Sequence, residues 1–251
     1  MEWASCVLFD FDGPICQLFP GTSSGPLAGE LRRLVAASGL TDVLTEDERT
    51  GDDPHLVLQA VHRAAKRADV RRHFKGVDFE HEVGVLEEAL TRGEFTAALD
   101  AWPTPDVDAF IGSLADEGMS LAVVTNNSPR VARSYLDDKG LGKYFDVIHG
   151  RTSDPGLMKP HPRVLKCALE DLALPPESAV MIGDTPTDLE AATQAGVGFI
   201  GYGRNTAWRK RLRDAGAKVV LGGYAPLLGD TGEDGAAHEP TPSVGGATAR
   251  Q

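Results

Sequence analysis

A chain of 251 residues with 41% hydrophobic and 25% charged residues has the make-up of one large globular domain or two modest ones. Its net charge of −12 speaks against a nucleic-acid polymer as partner, since phosphate backbones demand a basic face, but it leaves room for a small anionic substrate at a locally positive site. No run approaches the roughly 18 apolar residues of a membrane span. The start lacks the basic and apolar segments of a signal peptide, and Cys6, Cys16 and Cys167 show no paired or metal-type spacing. A cytoplasmic protein without a membrane partner is therefore expected. No apolar seam identifies an oligomer, so the oligomeric state stays open.

The first element is "VLFDFDGPIC", residues 7 to 16. Val7, Leu8 and Phe9 read as a short buried strand, and Gly13-Pro14 breaks it. Asp10 and Asp12 then project to the same side, because strand side chains repeat with period two. In an open α/β sheet the carboxyl end of a strand is where ligands bind. A solvated acidic turn would read the same way, so this segment alone does not decide.

Between Asp12 and Thr125 lie 112 residues, far more than one crossover helix needs. Candidate helices span Pro26–Ser38, Pro54–Ala68 and Phe79–Leu99, with no convincing strand, so residues 17 to about 100 read as a small helical domain. "WPTPDVD" at Trp102–Asp108 leads back, and Val107–Glu117 forms the next helix. Apolar runs suited to buried strands follow at Leu121–Val124, Phe145–Ile148, Ala179–Ile182, Gly198–Gly201 and Lys218–Leu221. Helical patterns at Pro129–Lys139 (N-cap Ser128, stop Gly140), Pro162–Leu172 and Thr187–Gln194 alternate with them. Such alternation predicts an α/β fold with a doubly wound parallel sheet. From Gly229 onward the chain is Gly, Ala, Pro, Thr and Ser with little to bury, and a disordered tail is expected.

Three further strands end in polar residues. "VVTNNS" supplies Thr125, Asn126 and Asn127; "GLMKPHP" supplies Lys159; "MIGDTPTDLEAA" supplies Asp184 and Asp188. Each has a plain explanation as a turn, a linker or a helix cap. Together they meet at one sheet edge, and that coincidence favours a site.

"DFDG", "VVTNNS", "KPHP" and "GDTPTD", in this order over residues 7 to about 205, resemble the haloacid dehalogenase superfamily, in particular its phosphoglycolate phosphatase-like members. The resemblance implies a Rossmann-like core, residues 1–16 and 101–228, with a helical cap, residues 17–100, inserted after the first motif. It implies a phosphatase that uses Mg²⁺, with Asp10 and Asp184 binding the metal by side chain, Asp12 by its backbone carbonyl, and Asp188 supporting the metal or Lys159. Crowded carboxylates repel, and a divalent cation with oxygen ligands relieves that.

In the same reading Asp10 is the nucleophile that forms an aspartyl-phosphate, and Asp12 is the general acid and base. Thr125 and Lys159 face the phosphoryl oxygens. Asn126 and Asn127 are candidates to bind the leaving group, and Gln17, Phe19, Arg49 and His55 are cap candidates to face the site. The expected substrate is a small phosphorylated metabolite: a sugar phosphate, phosphoglycolate or a nucleotide. A phosphosugar mutase or a non-catalytic metabolite-binding module are the alternatives. Pro14 stands where the family usually has Thr or Val, which puts the turn after the first motif in question.

Overall fold

The computed structural model describes residues 4–20 and 24–228. The expected tail, 229–251, lies outside them. In chain order the elements are β1 (Cys6–Phe9), β2 (Cys16–Gln17), α1 (Gly25–Ala37), α2 (Glu46–Thr50), α3 (Pro54–Ala65), α4 (Ala68–His73), α5 (Phe79–Leu99), β3 (Trp102–Pro103), α6 (Val107–Asp116), β4 (Ser120–Val124), α7 (Pro129–Asp138), β5 (Val147–His149), α8 (Arg163–Asp171), β6 (Ala179–Gly183), α9 (Pro186–Ala195), β7 (Gly198–Tyr202), α10 (Thr206–Asp214) and β8 (Val220–Leu221). Among the described residues no helix is long and apolar enough to cross a membrane.

Six strands form a parallel sheet in the order β5-β4-β1-β6-β7-β8. β1 lies at the centre with Phe9 between Val123 and Ile182, and all four of its side chains are fully buried. The chain winds outward from β1 to β5, then returns to β6 on β1's other side. The switch point, where an open sheet parts its loops to make a crevice, therefore falls at the end of β1.

The two faces of the sheet follow period two. Val7, Phe9, Leu121, Val123, Val180 and Ile182 pack toward α6 and α7, whereas Cys6, Leu8, Ala122, Val124, Ala179 and Met181 pack toward α8 and α9. A third apolar cluster sits within the helical insert, where Leu31 and Val35 of α1 meet Val57, Leu58 and Val61 of α3 and Val83, Leu86 and Leu90 of α5. These positions recur three or four apart, the spacing of one helix face.

Several elements differ from the sequence expectation. The run 145–148 becomes a strand only at Val147–His149, because Phe145 turns inward to pack edge-on against Phe9. The last strand shortens to Val220–Leu221. The helix expected over 54–68 breaks at Lys66, and α4 begins at Ala68. Ser128 occupies the N-cap position of α7 but makes no side-chain cap bond. At the borders of the helical stretch, where no strand is expected, β2 pairs antiparallel with β3, so a two-stranded ribbon joins the places where the chain enters and leaves it.

Pro14 fits the turn after β1 without strain on the hydrogen bonding. Phe11 O accepts from Ile15 and Cys16, Gly13 N donates to Cys16 O at 2.6 Å, and the Pro14 carbonyl accepts from Tyr224 Oη at 3.0 Å. The turn uses its neighbours' donors, so the missing N–H leaves no gap.

Candidate active site

The loops after β1, β4 and β6 and the segment before α8 converge on a cavity of about 740 Å³ beneath the helical insert. Asp10, Asp12, Thr125, Asn126, Asn127, Lys159, Asp184 and Asp188 all line it. Asp10 continues β1, its backbone N–H donating to Ile182 O at 2.9 Å, and its Oδ1 accepts the Phe11 N–H at 2.7 Å. The Lys159 ammonium lies 2.9 Å from Asp10 Oδ1 and 2.6 Å from Asp188 Oδ1, and donates to Val124 O at 3.0 Å. Burial works against its charge, yet the two carboxylates outweigh burial and hold its pKa above the ordinary value.

Asp10 and Asp184 are raised as well, which for a carboxyl favours the neutral form. Burial, with Asp188 adding to it, pushes Asp10 up to about 6 despite Lys159. Burial and three neighbouring aspartates push Asp184 far up. Asp10, Asp184 and Asp188 each place an oxygen within 4.8 Å of the others. Hard oxygen donors with an excess of negative charge in a buried crevice suit a divalent cation such as Mg²⁺, so the residues fit the metal that the motifs imply. The Asp12 carboxylate stands apart from that trio: its Oδ1 accepts from Leu18 N at 2.9 Å, and burial raises its pKa.

Asp188 divides its two oxygens. Oδ2 accepts from the backbone of Asp184 and Thr185 and from the Thr185 hydroxyl, closing a capping box at the start of α9, while Oδ1 faces Lys159. The cap and the site are made by one side chain.

A family profile of the haloacid dehalogenase-like hydrolases matches residues 4–196. This chain belongs to that family. Phosphoglycolate phosphatase from Salmonella paratyphi A is 30% identical to it over 79% of this chain and 82% of the relative, and that from Escherichia coli K12 is 28% identical with the same coverage. CbbY from Rhodobacter sphaeroides, solved with xylulose-1,5-bisphosphate, shares the fold at a TM-score of 0.60 and 23% identity, over 89% of this chain and 96% of that one. The enzyme is thus a phosphatase-type haloacid dehalogenase-like hydrolase.

Within this hydrolase the expected binding asparagines are held by other groups. Asn126 exchanges two bonds with the Lys159 backbone, accepting from its N–H at 2.7 Å and donating to its carbonyl at 3.1 Å. Asn127 donates its amide to Glu94 at 3.0 Å. Since a carboxylate only accepts, the amide oxygen must turn to Thr125, whose hydroxyl donates to it at 3.1 Å while accepting the Asn127 N–H. Of the cap candidates, Gln17, Phe19 and His55 line the cavity. Arg49 does not: its guanidinium reaches back from the short helix α2 to bond Leu44 O and Thr41 O in the segment just before it.

Two groups of residues went unnoticed in the sequence. Glu94, fully buried on α5, accepts from Arg151 at 2.8 and 3.1 Å, from Asn127 and from Ser128 N, and lies 3.3 Å from the His55 ring. Burial pushes Glu94 up, but His55 and Arg151 prevail and bring it down to about 2. Burial likewise pulls His55 down, but Asp53 and Glu94 raise it to about 9. The second group is Arg204, Trp208 and Arg211, on the loop and helix after β7, which also line the cavity.

Glu94 had a readable signal: it continues the stripe Val83, Leu86, Leu90 by one more step of four, so a charge sits where the helix expects an apolar residue. Arg151 and Arg204 follow β5 and β7 at the same sheet edge as the four motifs.

Proposed function

We propose that this hydrolase cleaves a small-molecule phosphate monoester with the aid of Mg²⁺ and through an aspartyl-phosphate on Asp10. On this reading residues 17–100 form the cap over a core of residues 1–16 and 101–228. The observation that carries the proposal is Asp12: a buried carboxylate two residues from Asp10, lining the same cavity, whose burial favours its protonated form. A halide leaving group needs no proton, whereas an alkoxide does.

Asp10 Oδ1 is anchored by Phe11 and Lys159, which leaves Oδ2 as the oxygen that attacks phosphorus. The P–O bond to the alcohol breaks as Asp12 delivers its proton to the departing oxygen. Asp12, now a carboxylate, takes a proton from water, whose oxygen attacks the same phosphorus and frees Asp10 and phosphate. Lys159 offsets charge on the phosphoryl oxygens, and Asn126 fixes the backbone from which Lys159 extends. Asp10 and Asp184, with the Asp12 carbonyl, would hold the Mg²⁺, which when bound would offset charge on the phosphoryl group. Asp188 keeps Lys159 and the Asp184 loop in place.

The decisive experiment is phosphate release from a panel of small phosphomonoesters, with Mg²⁺ and with EDTA. Release that requires the metal is expected. Conversion of hexose 1-phosphates to 6-phosphates without free phosphate would show a mutase instead, and silence across the panel would leave a binding protein.

A further inference from the structure

Arg204 and Arg211 are exposed on the wall of the catalytic cavity, yet in a chain of net charge −12 neither guanidinium makes an ion pair or a hydrogen bond among the described residues. Arg209, on the same helix, binds Gly203 O and Thr206, and Lys210 pairs with Asp214. Asp52 on the cap side of the cavity pairs with neither arginine. What holds the two is Trp208, whose ring centroid lies 4.9 Å from the Arg204 guanidinium carbon and 5.8 Å from that of Arg211. A cation–π contact orders a guanidinium while leaving its N–H donors free, and those donors match a carboxylate or phosphate.

We propose that Arg204 and Arg211, supported by Trp208, form a subsite for a second anionic group on the substrate, a carboxylate or a second phosphate. The proposal rests on the phosphatase reading and adds to it a substrate class, phosphomonoesters that carry another negative group. The reacting phosphoryl group meets Lys159 beside β1, whereas the arginines follow β7, two strands away. At the usual strand spacing that is about 10 Å, shortened by the reach of the arginine side chains, so the two anionic ends of a small bifunctional molecule can be met at once. Of the other cations on this cavity, Lys159 is paired with Asp10 and Asp188, and His55 with Asp53 and Glu94. Arg204 also acts through charge on Asp12, working against the effect of burial, but without an ion pair, so the N–H donors of both arginines stay open to the cavity.

The test compares kcat/KM within two substrate pairs in Mg²⁺: 2-phosphoglycolate against its amide, and a pentulose 1,5-bisphosphate against the 5-deoxypentulose 1-phosphate. The wild type is expected to favour the doubly anionic member of at least one pair by about tenfold or more. A preference confined to the first pair assigns a carboxylate; one confined to the second assigns a phosphate. In the Arg204→Gln/Arg211→Gln double variant that ratio falls toward one. Arg213→Gln, on the same helix but away from the cavity, leaves the ratio as it is. A wild-type ratio near one in both pairs, or a ratio that survives in the double variant, overturns the subsite while the phosphatase stands. No release from any of the four compounds overturns the phosphatase reading itself, and the subsite with it.

Discussion

Asp10 and Gly13 lie three residues apart on the loop after β1, and each is constrained by a different partner. Asp10 is fixed by the Phe11 N–H and Lys159, so Asp10→Asn keeps the shape and the hydrogen bond while removing the nucleophile. Activity should fall to near background with the thermal unfolding curve little changed; residual turnover above about a tenth of wild type would take Asp10 out of the nucleophile's role. Gly13 adopts φ +101°, and a Cβ there would run into the Asp184 carboxylate. Gly13→Ala therefore strains the turn and displaces a proposed metal ligand at once. A loss of at least about tenfold in metal-dependent phosphate release is expected, consistent with the steep cost of misplacing catalytic groups. Asp188 makes the same point about reading motifs: helix cap and site residue were rival explanations in the sequence, and the side chain is both.

At the level of elements, α5 does more than fill the insert. Its apolar stripe anchors it to α1 and α3, and at Glu94 the stripe turns charged and grips the core through Arg151, Asn127 and the start of α7. Removing one partner of a buried ion pair leaves an uncompensated charge, so Arg151→Met should cost about 3 kcal/mol or more of stability, read from urea denaturation midpoints.

His55 on α3 adds a pH signature to the same junction. Its folded value, about 9, lies above its ordinary 6.5, so the stabilisation it brings is complete below about 6.5 and fades as pH rises through about 9. Melting temperature should drop over that window, and His55→Gln should flatten the drop; an unchanged slope in the variant would assign the transition to another group.

Across the whole molecule, the parallel sheet gathers four aspartates and one lysine at its switch point, and of these Asp10, Asp12 and Asp184 hold protons more tightly than usual. A cation that binds the folded chain stabilises it by mass action, about 2.7 kcal/mol at a hundredfold excess over Kd. Mg²⁺ should therefore raise the melting temperature in the absence of any substrate, and Asp184→Asn should abolish the rise. A melting temperature indifferent to Mg²⁺ would remove the metal from this site.

The alternation of apolar strands with helical patterns, and the polar residues that close Val7–Phe9, Leu121–Val124 and Ala179–Ile182, are local properties, which is why the doubly wound sheet and its acidic edge were legible in the sequence alone. Period two even divides the sheet's two faces. The ribbon of Cys16–Gln17 with Trp102–Pro103 was not legible, since two-residue strands have no period and their pairing spans the whole insert. Nor was the grip of Glu94 on Arg151, 57 residues apart in sequence, or the turning away of Arg49, because a charge's partner is chosen by folded proximity and not by spacing. Tertiary structure alone decided which cations in this acidic chain are already balanced and which, at Arg204 and Arg211, are left facing the cavity: free charge is a property of what lies within a few ångströms, and only the fold sets that distance.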